Sequence, residues 1–245
     1  MIKFFRRIRQ NILIGEIPPA GRAGKTGKYF KYAVGEIILV VIGILIALQI
    51  NTWNENRLEG IEATNYLKQI KGELLFDWES FNNDLELFQK NMEYLNIVSD
   101  GKYDEVDLSL LLHSLTRNLS DKNFGASFNK LTESGSIKHI KSHQLREELQ
   151  AYYISSTSLY NNLADYHAQY NLENIEGPLL RILRHEKNFR VNSDEVIEKL
   201  ESENIISMVN WQISFMEVFV PIIESMMNNV DELIILINKE TSTGG

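Results

Sequence analysis

Residues Ala33–Ile50 read AVGEIILVVIGILIALQI, eighteen residues with one charge, Glu36, and one amide, Gln49, near the far end. No other stretch limits so narrowly what the chain can become. As a helix rising about 1.5 Å per residue it is about 27 Å long, close to the hydrocarbon thickness of a bilayer. Such a helix is apolar on nearly every face, and lipid is the solvent that suits it. The segment is read as one transmembrane helix within residues 29–53. Trp53 marks one membrane interface and Tyr29, Phe30 and Tyr32 the other. A cleaved signal peptide fits less well. The run is longer than the usual apolar core of one, and Ala47-Leu48-Gln49-Ile50-Asn51 offers no small-x-small cleavage site.

The two flanks differ in charge. Residues 1–50 carry eight basic and two acidic side chains, net +6, so of the chain's −8 the remaining residues hold −14. Basic flanks stay on the cytoplasmic side of a membrane. This places residues 1–28 in the cytoplasm, the span in the inner membrane, and residues 54–245 in the periplasm. The chain has no cysteine, so no disulfide framework holds that region, which is long enough to bury a core without one. The acidic outer part argues against nucleic acid as a partner.

Residues 1–14 mix Ile2, Phe4, Phe5, Ile8, Ile12 and Leu13 with Lys3, Arg6, Arg7 and Arg9. That pattern fits a segment lying on an anionic leaflet, or a plain topology signal. Residues 15–28 hold two prolines and four glycines and read as a hinge. Gly24-Lys25-Thr26 has the end of a phosphate-binding loop, but Pro19 stands where that motif needs its first glycine. Inside the span, Glu36, Val40, Gly43, Ala47 and Ile50 recur at spacings of three and four and share one face. Gly43 and Ala47 form a small-xxx-small pair that lets another helix approach closely. That face is the expected membrane-helix interface, with a second copy or another membrane protein as partner.

Three runs with a period near 3.5 follow. The first is Leu67, Ile70, Leu74, Trp78, Phe81, Leu85, Phe88, Met92, Leu95. The second is Leu145, Leu149, Tyr152, Ser156, Leu159, Leu163, Tyr166, Tyr170. The third is Ile206, Val209, Ile213, Met216, Val220, Ile223, Met227, Val230, Ile234, Ile237. Such runs belong to long helices packed side by side, not to strands of period two. The expected fold is all-α, one transmembrane helix followed by an elongated antiparallel helical bundle. In it the first long helix rises from the membrane, the second returns and the third rises again, leaving the C-terminus far from the bilayer.

No proline interrupts residues 51–98, so the transmembrane helix is expected to continue into the first long helix, with Gly60 and Gly72 as weak points. Ser142 suits an N-cap for the second helix, and the third should begin near Ser202 or Asn204 and kink at Pro221. Short helices are expected at Val106–Leu119, Phe124–Glu133, Pro178–His185 and Ser193–Leu200, the last capped by Ser193.

The stretches IKFFRRIRQNIL, KTGKYFKYAVGEIILVVIGILIALQINTWNENR and FNKLTESGSIKHIKSHQLREELQAYY resemble a family of uncharacterised single-pass membrane proteins of Bacteroidota. The similarity covers most of the chain. It implies topology and architecture only, because the family's function is unknown and supplies no functional residues.

Catalytic chemistry is not legible. Of the five histidines only His139 and His143 have ligand-like spacing, and Ser142 falls between them. No Glu-x-x-His, Gly-x-Ser-x-Gly or cysteine nucleophile occurs. No catalytic residue, metal site or cofactor is therefore expected. The tyrosines 152, 153, 160, 166 and 170 read as core. The chain reads as a non-enzymatic membrane-anchored assembly or scaffold protein. The alternative is a periplasmic ligand-sensing module acting through a partner membrane protein.

Overall fold

A computed structural model describes residues 25–102, 107–119, 122–182, 198–199 and 204–242. Every regular element among them is helical, as the periodicity predicts. In chain order these are α1 (Lys25–Ser99), α2 (Leu108–Thr116), α3 (Ala126–Glu133), a 3₁₀ turn (Ser136–His139), α4 (His143–Gln150), a π-helical segment (Ala151–Ser156), α5 (Thr157–Asn171), a second π-helical segment (Leu172–Glu176), α6 (Gly177–Ile182) and α7 (Ile205–Ser242). The N-terminal amphipathic segment, Val106 and the Ser193 cap lie outside the described residues. So does most of the hinge, but its last four residues, 25–28, are helical rather than hinge. No proline after Pro19 stops the helix from extending upstream.

The chain divides into two compact units, Met1–Glu55 and Asn56–Gly245. In the first unit α1 carries residues 32–50 with every side chain exposed. α1 continues without a break through Gly60 and Gly72 to Ser99.

The second unit has one continuous apolar core. From α1 it takes Leu67, Ile70, Leu74, Phe81, Phe88 and Leu95, with Trp78, Leu85 and Met92 packed at the margin. This is the first run as the sequence spaces it. α7 buries Val209, Ile213, Met216, Ile223, Val230 and Ile237 of the third run, and adds Gln212, Phe219, Met226 and Leu233. The helix starts at Ile205, after Asn204 in a left-handed conformation (φ 59°), and passes through Pro221 to Ser242. α4 begins as expected: Ser142 Oγ accepts from the Leu145 N–H at 3.1 Å.

The second run departs from its expected face. Leu145, Leu149 and Tyr152 are buried, but Leu159 and Tyr166 are 49% and 57% exposed. The core positions after Tyr152 are instead Thr157, Tyr160, Ala164, His167, Asn171, Ile175 and Leu179. The π-helical segment Ala151–Ser156 is the cause. A π turn takes one more residue than an α turn. The step from Tyr152 to Thr157 is therefore five, and everything after it rotates by one position.

Chain direction also differs from expectation. Asp77 meets Tyr152 and Asp84 meets Tyr160, so the numbers rise together and the α4–α5 run lies parallel to α1. The return is made earlier, by α3 and the 3₁₀ turn: Glu73 meets Ser127, Glu62 meets Ser136 and Glu59 meets His139. α7 runs antiparallel to α1, with Ser99 on Asn210 and Lys71 on Asn238. The end of α7 therefore lies at the end of this unit where the chain first enters it, not at the far end. The connection between the first and second runs holds two short helices, enough chain to double back before the second run starts.

Candidate functional site

Glu36, Val40, Gly43, Ala47 and Ile50 all lie on α1 and all are exposed. At about 100° per residue they fall within one narrow sector. A Cβ built on Gly43 would meet nothing within 4 Å, so the face is open to close approach. α1 and α7 are both long and apolar enough to cross a membrane; none of the apolar window of α1 is buried, whereas a third of that of α7 is.

Within the second unit, α1 presents a line of carboxylates toward the elements that follow it. Each is engaged by a donor on a following element. Glu59 Oε2 is 2.5 Å from His139 Nε2 and 2.9 Å from Lys138 Nζ. The Lys138 and His139 hydrogen bonds hold its carboxyl below the usual range. Glu62 accepts from Ser136 Oγ at 2.9 Å. Glu73 accepts from Ser127 Oγ at 2.6 Å and from the Ser127 N–H. That N–H is one of the unpaired donors in the first turn of α3, whose N-cap Gly125 has no side chain to offer, so Glu73 caps the helix from outside. Asp84 pairs with Lys122 at 2.8 Å and accepts from Tyr160. Lys122 also donates to Ser80 and lies over the Phe81 and Tyr160 rings. On α7, Glu240 accepts from the Lys141 and Ser142 N–H groups.

Asp77 is the deepest of these carboxylates, 8% exposed. Burial pushes it up to about 6; the Tyr152 hydroxyl at 3.3 Å pulls the other way, and Glu73 adds to the rise. Burial likewise raises the Tyr152 and Tyr153 phenols. Tyr153 stacks on Phe128 with centroids 4.8 Å apart, and its ring fills the space a side chain on Gly125 would need.

A second polar group sits where α2, α5 and α7 meet. His167 Nε2 is 2.9 Å from Gln212 Oε1. Gln212 Nε2 donates to the Leu115 carbonyl at 2.6 Å and to Asn171 Oδ1 at 2.8 Å. Asn171 Nδ2 donates to Asn118 Oδ1 and to the Arg117 carbonyl. The amides of Gln212 and Asn171 thus serve carbonyls at the C-terminal end of α2, which the helix cannot satisfy itself. Around them Tyr170 stacks on Trp211 at 3.7 Å and His167 on Phe215 at 3.9 Å.

Sequence reasoning missed this joint. His167 and Asn171 lie one position off the expected face, and Gln212 reads as a surface residue between Val209 and Ile213. No signal in the sequence marked Gln212 as a core position; its burial emerges only in the structure. The two histidines with ligand-like spacing have separate partners: His139 is on Glu59 and His143 on Glu147. Among the described residues no group of three or more His, Cys, Asp or Glu side chains is placed to hold a metal ion.

No curated protein and no solved structure matches the chain. Residues 36–214 match a family of unknown function, DUF6090, a span that takes in the apolar face from Glu36, the carboxylate line and the His167–Gln212 joint. The chain belongs to the DUF6090 family of unknown function.

Proposed function

We propose that this protein is a single-pass, membrane-anchored assembly or scaffold protein without catalytic activity of its own, of the Bacteroidota type that its sequence resembles. One observation carries the reading: residues 32–50 of α1 are exposed throughout, whereas the second unit has a continuous buried apolar core. Lipid is the environment that removes this cost. The charge difference across the span favours a cytoplasmic N-terminus and a periplasmic second unit. That unit acts as an elongated helical bundle, the carboxylates along α1 used as struts between elements rather than as acids or bases. The face of Glu36, Val40, Gly43, Ala47 and Ile50 is the contact for parallel self-association, or for another membrane protein.

The absence of native cysteine makes the test direct. Thr26→Cys and Ser158→Cys are labelled in intact cells with a membrane-impermeant maleimide. Ser158 should label at once and Thr26 only after permeabilisation; the reverse pattern rejects the topology. Gly43→Cys should form a disulfide-linked dimer in native membranes and Val41→Cys should not.

The sensing alternative is favoured by one feature: π-helical segments bracket α5, which carries His167 and Asn171. Such segments often accompany functional positions.

A further inference from the structure

The joint of α2, α5 and α7 contains a group that its hydrogen bonds leave half served. His167 is 1% exposed. Gln212 Nε2 is committed as a donor to Leu115 and Asn171, so Gln212 Oε1 must accept, and the ring carries its proton on Nε2. Nδ1 is then a bare lone pair, buried and without a partner among the described residues.

We infer that His167 is a proton-binding site: neutral, it holds the α2–α5–α7 joint closed, and protonated, it opens it. The proton comes from solvent and adds to the Nδ1 lone pair. Among the described residues the resulting N–H has no acceptor, and the imidazolium has no counter-charge in contact. Facing it are Trp211, Gln212 and Phe215 from α7, Asn171 from its own helix and, through Gln212, the Leu115 carbonyl of α2. All are neutral. Among the described residues, ionisable ones join the network at its edge. Arg117 contributes its carbonyl, Glu176 accepts from Asn118 at 3.2 Å, and Tyr170 stacks on Trp211. Stacking on Phe215 offers the cation about 0.5–2 kcal/mol, less than a buried unpaired charge costs.

The sign follows from the geometry. Burial lowers the affinity of the folded ring for a proton, while an opened joint presents an ordinary histidine. Closure is therefore complete above about pH 6.5, the ordinary histidine value, and is lost as pH falls below it. Asp77 cannot produce the same effect, because its raised value makes the folded state gain, not lose, as pH falls through about 6. The inference goes beyond the scaffold reading and does not depend on a membrane.

The test uses the full chain in non-ionic detergent. Nitrogen-15 NMR of the histidine-labelled protein should show His167 neutral with its proton on Nε2 at pH 6.5. Hydrogen exchange, corrected for intrinsic rates, should show the opening constant of residues 110–119 and 205–216 rising by up to about tenfold per pH unit between pH 6.5 and 5. His167→Gln keeps a donor toward Gln212 and cannot titrate, so its opening should stay flat. An imidazolium signal from folded His167 at pH 6.5, unchanged wild-type exchange, or an equal rise in the variant would each overturn the inference. If the variant does not fold, the two wild-type measurements decide.

Discussion

Asp77→Asn isolates one buried charge. The wild-type carboxylate is held at about 6 in the folded chain, against an ordinary value of 3.8. The cause is burial; Glu73 adds to it, and the Tyr152 hydroxyl and the charge of Lys122 oppose it. At about 1.4 kcal/mol per pKa unit, the ionised carboxylate costs folding about 3 kcal/mol relative to the protonated one. Because the folded value is raised, the stability it contributes is present at acid pH and is lost as pH rises through about 6. About 2 kcal/mol of the change falls between pH 4.5 and 7.5. Asparagine keeps an acceptor for Tyr152 and has no charge to titrate. Its added N–H groups shift absolute stability by a pH-independent amount, so the informative quantity is the change with pH. Urea unfolding of both proteins in detergent, followed by circular dichroism from pH 4.5 to 7.5, should show wild type losing about 2 kcal/mol relative to the variant as pH rises. His167 titrates in both and cancels. Parallel stability curves would refute the assignment of a buried, uncompensated carboxylate.

Three further outcomes are expected. Gly125→Ala should destabilise by at least about 1–2 kcal/mol from its φ of 77° alone, and by more because the new Cβ would lie 2.7 Å from Tyr153 Cδ1; urea unfolding reads this, and a neutral effect would contradict the packing of Tyr153 on Phe128. Gln212→Leu strands His167 Nε2, Asn171 Oδ1 and the Leu115 carbonyl, and should cost about 3 kcal/mol or more in the same assay, while Ser214→Leu on the exposed face should change stability by about 0.5 kcal/mol or less. Gly43→Leu should weaken self-association in a membrane-helix assay while Val41→Leu does not; equal effects would reject the interface.

Local information in the sequence determined the elements. The apolar run at 33–50 allows only a helix in lipid or a helix against a partner. Residues 67–95 and 209–237 keep a 3.5-residue spacing that no strand shares, and α1 and α7 bury the faces it names. Ser142 supplied a cap because its hydroxyl reaches an N–H three residues away, which needs no tertiary partner.

Tertiary structure decided direction, rotation and the polar joint. Three runs of similar length fit side by side in either direction, so length did not reveal that α3 and the 3₁₀ turn make the return. After Tyr152 the sequence offers Leu159–Leu163–Tyr166–Tyr170 as the more apolar face, but the structure buries Tyr160–Ala164–His167–Asn171. Periodicity alone favours the first. The second is chosen because the Ala151–Ser156 π turn places Tyr160 on Asp84 and the rings of Phe81 and Phe219, and it carries His167 and Asn171 to Gln212. A side chain's polar partners lie on other helices, 41 residues away for Asn171 and Gln212. No local pattern encodes such a distance, and a buried amide is recognisable only once the carbonyl it serves is in place.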